Sequence, residues 1–335
     1  MFSFSVITGK TVHRIVHGDL RRCVRVVKDA YLTHDAGRSI NPNSYFLRYP
    51  DNPSARIIAL PAHLGGDTRV SGIKWIASFP ANVAKGFPRA SAVLLLNDCE
   101  TGYPFACLES SIISAARTAA SALVATEALR QDRRIRTLGI VGNGLIARYV
   151  YDFFVGTGWE VGSVALYDHT PGESTRFAAE VCAARHQGRV TVHADVESLV
   201  RASDTILFAT SAPRPHITDL ALLSHNPLIL HVSLRDLAPE LLLASNNVVD
   251  DVDHVMNADT SPHLAEKLSG GRGFVNGTIA GAIEGRFAVD PRRPTIVSPF
   301  GLGVLDLAVG KWVYDAASAA GEALHVDDFF CELRR

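Results

Sequence analysis

A chain of 335 residues is longer than one hydrophobic core usually grows, so two domains are expected. With 47% hydrophobic and 20% charged residues the composition is that of a packed globular protein, which excludes a disordered or fibrous chain. A formal net charge of −1 supplies no global field for nucleic acid or an anionic membrane, so the expected partner is a small molecule.

The first third reads as one helix followed by β-structure. From Asp19 to Gly37 the residues Leu20, Cys23, Val24, Val27, Ala30 and Tyr31 recur at helical spacing, and a glycine ends the run. Short apolar runs then follow at Tyr45 to Tyr49, Arg56 to Leu60, Gly72 to Ile76 and Ser91 to Leu96, divided by Pro, Gly and Asn turns. The segment Asn97 to Gly102 turns the last of these back on itself, which predicts an antiparallel sheet. An alanine-rich helix from Glu109 to Arg130 leads out of that sheet.

Strands and helices then alternate, with strands predicted at Thr137 to Val141, Ser163 to Tyr167, Val190 to His193, Thr205 to Ala209, Leu228 to Val232 and Asn247 to Val249. That alternation predicts a doubly wound parallel sheet of the Rossmann type. A last apolar helix, Val304 to Ala317, is free to lie on either domain. The fold class expected is α/β: a Rossmann domain plus an α+β antiparallel-sheet domain.

The cysteines Cys23, Cys99, Cys107, Cys182 and Cys331 are odd in number and never spaced as CxxC, which suits a reduced cytoplasmic protein. Cys99 and Cys107 flank the hairpin and carry no assigned role. Met1 to Ile7 lacks the basic end and apolar run of a signal peptide, and no later apolar stretch is expected to span a membrane. The thirteen histidines show no HxH, HExxH or Cys/His pairing, so no metal site is expected.

The most specific local pattern is Gly142-Asn143-Gly144-Leu145-Ile146-Ala147, a GxGxxA placed after a strand and at the head of a helix. Gly142 permits the tight turn, Gly144 lets the backbone approach a pyrophosphate, and Ala147 lets helix and strand pack closely. The helix N-terminus adds free N–H donors and partial positive charge. Asp168 ends the next predicted strand, 21 residues beyond Ala147, where a carboxylate accepts from adenosine ribose hydroxyls and repels a 2′-phosphate. The expected cofactor is therefore NAD.

A nicotinamide enzyme acting on an acid also needs cations and a proton carrier. Arg48 and Lys74 interrupt apolar strands, Arg117 lies in the alanine-rich helix, and Asp236 follows the strand Leu230 to Val232. Each has a structural alternative as an ion-paired or snorkelling cation, or as a helix cap.

Lys74-Trp75-Ile76-Ala77-Ser78-Phe79-Pro80, the stretch Ile113 to Ser121, the GNGLIA turn and Ser298-Pro299-Phe300-Gly301-Leu302-Gly303-Val304-Leu305-Asp306-Leu307-Ala308 together resemble the ornithine cyclodeaminase/mu-crystallin family nearly end to end. The resemblance implies that Arg48, Lys74 and Arg117 hold the substrate's carboxylate and amine region and that Asp236 is the general acid/base, with Lys74 holding a carboxylate or polarising an imine. It implies NAD contacts at Ser91, Thr118, Gly142, Gly144, Leu145, Ile146, Asp168, Thr210, Ser233, Phe300 and Gly301. It implies a substrate-binding and dimerisation domain over 1–118, completed by 300–335, a Rossmann domain over 119–299, and a homodimer.

Ala90 to Leu94, His231 to Glu240 and Val249 to Met256 further resemble the diaminopropionate-forming branch of that family. Ile146 stands where ordinary cyclodeaminases have glutamine, and Ser233-Leu234-Arg235 replaces their glycine-rich lead-in. That branch implies NAD-dependent oxidative cleavage of N-(2-amino-2-carboxyethyl)-L-glutamate to L-2,3-diaminopropionate and 2-oxoglutarate for a siderophore or peptide-antibiotic pathway. A tricarboxylate makes sense of the extra cations Arg89 and Arg235. Ornithine cyclodeamination, ketimine reduction, alanine dehydrogenation and a non-catalytic nucleotide-binding role remain the alternatives.

Overall fold

A computed structural model of the protein describes residues 3–331. It divides into two compact units, one taking in the described residues up to Arg117 and from Leu302 onward, the other running Thr118–Gly301.

The first unit opens with β1 (Phe4–Ile7) and two helices, α1 (Gly9–Gly18) and α2 (Leu20–Asp35), where the sequence predicts one helix. Asp19 makes the break: its backbone N–H closes α1 on the Val16 carbonyl, and its carboxylate accepts the Arg22 N–H at 2.8 Å to cap α2. Val12, Ile15 and Val16 bury one face of α1, and Cys23, Val24, Val27, Ala30 and Tyr31 one face of α2.

Next come β2 (Ser39–Ile40), β3 (Tyr45–Tyr49), β4 (Asn52–Leu64), β5 (Val70–Ser78), β6 (Ala90–Asn97) and β7 (Pro104–Glu109). They lie in the order β1-β7-β6-β5-β4-β2, with β3 also on β4. Pairing is antiparallel except between β1 and β7, which is parallel. β4 extends through Pro61, which a strand centre normally rejects. β3 pairs as far as Ala59 and β2 begins at His63, so the missing N–H of Pro61 falls in the gap between them.

α3 (Ser111–Leu129) leaves this sheet. Where the sequence suggests no apolar run of spanning length, α3 is the correction: its 19 residues are long and apolar enough by composition, yet the helix is mostly buried inside the protein. It is a core helix.

The second unit holds β8 (Arg134–Val141), β9 (Glu160–Tyr167), β10 (Arg189–Val192), β11 (Thr205–Phe208), β12 (Leu228–His231), β13 (Asn246–Val249), β14 (Val275–Thr278) and β15 (Thr295–Ser298). They form a parallel sheet in the order β10-β9-β8-β11-β12-β15-β13-β14. From β8 the chain winds outward through β9 and β10, then returns to the other side of β8 with β11. The switch point, where such sheets bind ligands beyond the strand ends, lies between β8 and β11. α4 (Leu145–Gly156) follows β8 and buries Ala147, Val150, Phe153 and Phe154. The sequence reading lacks β14 and β15, and β15 is the strand that separates β12 from β13.

The chain ends in the first unit. Helix Gly303–Ala319 is buried on nearly all sides and packs on α2, β4, β5 and β6. β16 (Leu324–Val326) then adds antiparallel to β1. The five cysteines are free thiols, and burial pushes the Cys23 thiol far up from its ordinary pKa.

Candidate active site

Two constellations form, one in each unit. In the first, the alternation of β5 sends Lys74 into the core and Trp75 to the outside. Lys74 is 2% exposed. Its Nζ donates to Asp306 Oδ2 at 2.6 Å and to Ser114 Oγ at 3.3 Å. Arg117, one turn beyond Ser114 on α3, brings its Nε to 3.4 Å from Asp306 Oδ1. A strand and two helices thus converge on one fully buried acid. Burial pushes the Lys74 ammonium down to about 8; Asp306 opposes this and Arg117 reinforces it. Two cations and one acid leave a formal surplus of one positive charge, which suits one carboxylate.

Further along the same face, strand register aligns Arg48 with Arg56 and Arg56 with Ser78. Ser78 is four residues beyond Lys74 and shares its face. Arg89 donates from Nη1 to Ser78 Oγ at 2.7 Å, while the Arg48 guanidinium stacks over Phe46 at 5.1 Å. Arg48 and Arg89, both anticipated, therefore gather with Arg56, which was not. Ser91 pairs with Ala77 and lies on the opposite face, with Trp75 and Val93.

In the second unit the Gly-rich turn follows β8 as predicted. Gly142 adopts φ +85°, and a Cβ there would stand 2.7 Å from the Ala209 carbonyl oxygen, so the β8 and β11 ends approach too closely for a side chain. At Gly144 a Cβ would meet nothing within 4 Å. Gly144 caps α4 with no side-chain hydrogen bond, which leaves the first N–H groups of the helix without a capping side chain, and Leu145 beside them is exposed. This cradle fits a dinucleotide pyrophosphate. Asp168 accepts the Asn143 N–H at 2.7 Å and the Thr170 N–H at 2.8 Å. It thereby braces the Gly-rich turn, and each oxygen keeps a lone pair for a ribose hydroxyl.

Asp236 lies beyond the end of β12 and is fully buried. The hydroxyl of Thr210, just beyond β11, donates to its Oδ1, and Ser233 to its Oδ2. The Asp236 N–H donates to His231 Nε2 at 3.1 Å, and the same nitrogen stands 3.2 Å from Oδ2. Burial pushes the Asp236 carboxyl up, but His231, Ser233 and Thr210 together outweigh it and hold the pKa below the ordinary carboxylate range. The group is an ionised carboxylate at neutral pH, suited to accept a proton. Leu234 adopts φ 74°, a conformation rare for a branched side chain, within the segment that aims Ser233 at Asp236.

Arg235 turns elsewhere: Nε and Nη2 donate to the Ala258 carbonyl at 3.2 and 2.6 Å, so it braces a loop. Phe300 and Gly301 are fixed by buried Asp250, whose oxygens accept their N–H groups at 2.9 and 2.7 Å. Thr118 follows Arg117 on α3, half-buried.

Asp306, Ser114, Arg56, His231 and Asp250 escaped assignment from sequence. Asp306 had a signal, an acid in the apolar first turns of the helix Gly303–Ala319. The others lacked one, because their partners lie far along the chain or in unpredicted contacts.

The profile of the ornithine cyclodeaminase/mu-crystallin family matches residues 10–321. The chain belongs to that family. It is 28% identical to N-((2S)-2-amino-2-carboxyethyl)-L-glutamate dehydrogenase from Staphylococcus aureus, over 88% of this chain and 89% of the relative. Its fold is that of Thermococcus litoralis Δ1-pyrroline-2-carboxylate reductase, solved with NADH and L-proline (TM-score 0.88, 24% identity, 96% of this chain and 100% of the other). It is also that of an archaeal alanine dehydrogenase dimer with bound NAD (TM-score 0.85, 23% identity, 98% and 100%).

Proposed function

We propose that this NAD-dependent oxidoreductase of the CH–NH class oxidatively cleaves N-(2-amino-2-carboxyethyl)-L-glutamate to L-2,3-diaminopropionate and 2-oxoglutarate. The observation that carries the reading is the arginine group on the Lys74 face. The family resemblance gives Arg48, Lys74 and Arg117 to one carboxylate, which leaves Arg56 and Arg89, gathered at Ser78 and ~13 Å along the strand from Lys74 at four residues of ~3.3 Å rise, as cations beyond that set. Long lysine and arginine side chains span much of that interval. An amino acid with one carboxylate has no use for the second group of cations; a tricarboxylate does. The likeness to the staphylococcal dehydrogenase supports the same choice.

Bound NAD+ supplies the hydride acceptor, with the Gly142–Gly144 turn on its phosphates and Asp168 on its ribose. Thr118, Phe300 and Gly301 serve its nicotinamide end in this reading. Arg48, Lys74 and Arg117 hold the α-carboxylate and amine region of the glutamate moiety, so that its α-carbon is fixed while its C–H bond breaks. Asp236 accepts the proton of the amine and releases it, then takes the proton of the water which attacks the resulting imine and returns it to the nitrogen, so that the C–N bond of the carbinolamine breaks and the primary amine leaves as the C=O bond forms. Thr210 and Ser233 hold the carboxylate in place through both transfers.

The outer face of the first sheet aligns Tyr45, Ala59, Trp75 and Val93 in one row, and Tyr45, Trp75 and Val93 are exposed there. A second copy of the chain is the proposed occupant, as in the dimeric alanine dehydrogenase of the same fold. Free thiols and a nicotinamide reaction suit the cytoplasm.

The test follows NADH absorbance with NAD+ and N-(2-amino-2-carboxyethyl)-L-glutamate, with L-ornithine and L-alanine in parallel. NADH together with free 2-oxoglutarate supports the proposal. Proline and ammonia from ornithine, or NADH from alanine alone, overturn it in favour of another reaction on this scaffold.

A further inference from the structure

A buried base must return its proton to solvent in every cycle, and in the reaction proposed above the count is explicit. A secondary ammonium, NAD+ and water give a ketone, a primary ammonium, NADH and one proton. The C–H pair leaves as hydride, the water oxygen forms the new C=O bond, the C–N pair stays with nitrogen, and one proton remains for the enzyme to discharge.

Asp236 has no direct outlet. Its carboxylate is fully buried, and His231, on Oδ2, is equally buried. The other ring nitrogen of His231, Nδ1, lies 3.4 Å from the hydroxyl of Ser298, which is itself buried. A proton passed that way stays inside. His216 differs: its Nδ1 stands 3.9 Å from Asp236 Oδ1 while its side chain is 37% exposed.

His216 is also held in place. The backbone N–H groups of His216 and Ile217 both donate to the Asp236 carbonyl at 2.9 Å, and the Ala238 N–H donates to Ile217 O at 2.9 Å. Ile217 and Leu237 thus form a short parallel bridge. The ring meets Phe208 edge to face at 6.4 Å. Among the described residues, the charged group in contact with the ring is Asp236; Arg214, two residues earlier, is exposed.

We infer that His216 is the proton outlet of Asp236, a relay that takes the proton at Nδ1 and releases it from Nε2 to water. Closing 3.9 Å to a hydrogen bond of ~3 Å needs a ring movement of only ~1 Å. The inference rests on the net dehydrogenation proposed above. Cyclising ornithine to proline returns the hydride to the substrate and leaves no net proton, so that reaction needs no outlet.

The test mixes wild type, His216→Ala and His216→Asn rapidly with NAD+ and substrate in weak buffer. NADH absorbance and a pH indicator are followed together. Both variants are expected to form the first equivalent of NADH at the wild-type rate, then to release protons and turn over ~10-fold or more slowly. Added imidazole should restore His216→Ala, with KM for NAD+ unchanged. Wild-type proton release and turnover in both variants would overturn the relay, as would a loss that imidazole and buffer concentration leave untouched. Failure of the underlying reaction looks different, because the wild type itself then forms no net NADH.

Discussion

Replacing Asp306 by Asn keeps the side-chain volume and removes the charge 2.6 Å from Lys74 and 3.4 Å from Arg117. Lys74 limits its own share of the cost by shedding its proton. With its pKa already lowered to about 8, neutralising it at pH ~7 costs at most ~1.4 kcal/mol more, one pKa unit's worth. Arg117 has no such escape and adds ~1–2 kcal/mol for a largely buried cation that has lost the Asp306 charge. The total, ~2–3.5 kcal/mol, lowers Tm by roughly 4–14 °C at about 2–4 °C per kcal/mol. The sign of the pH dependence follows from the depressed lysine. The Lys74 share is largest at low pH and shrinks to nothing as pH rises through about 8, because the folded wild type then loses the same proton. Calorimetry of Asp306→Asn and wild type at pH ~6.5 and ~9 checks this. A Tm difference that is equal at both, or below ~2 °C at the lower pH, refutes the argument.

In the proposed reaction the same titration should govern substrate binding. Lys74 is charged below about pH 8, so KM for the carboxylate substrate should rise ~10-fold per pH unit above that value while kcat changes little; a flat KM refutes the carboxylate-holding role. Asp236→Asn should lower kcat by ~10²–10⁴-fold and leave NADH affinity, read by fluorescence titration, near wild type. Gly142→Ala places a methyl 2.7 Å from the Ala209 carbonyl at φ +85°; it should weaken NADH binding at least ~10-fold, as ~1–3 kcal/mol of strain is imposed on the turn, and wild-type affinity would refute that reading of the turn. Trp75→Asp puts a charge at the centre of the exposed row, so light scattering should report a monomer for the variant and a dimer for the wild type, and an equal mass for the two refutes the proposed interface.

The Gly-rich turn was legible because every requirement on it is local: the strand before, the glycines within, the helix after and the acid one strand later. The alternating runs of the first sheet were legible for the same reason. What escaped depended on partners. β15 is four residues long and hidden behind Pro294, and only its place between β12 and β13 makes it a strand. α1 carries a short apolar face, and its separation from α2 turns on the two bonds made by Asp19.

By itself the sequence determined the classes of element, the nucleotide turn and the residue types able to hold a carboxylate and move a proton, since these follow from periodicity, turn chemistry and spacing along the chain. The tertiary structure decided which of those charges belong together. Lys74 and Asp306 are 232 positions apart and meet because β5 is covered by the helix Gly303–Ala319. Arg56 joins Arg48 through strand register, Arg235 is diverted to a backbone carbonyl, and His216 reaches Asp236 through a bridge of backbone hydrogen bonds. Register and packing fix distances that linear spacing leaves open, and at a site built from charges distance decides which groups interact.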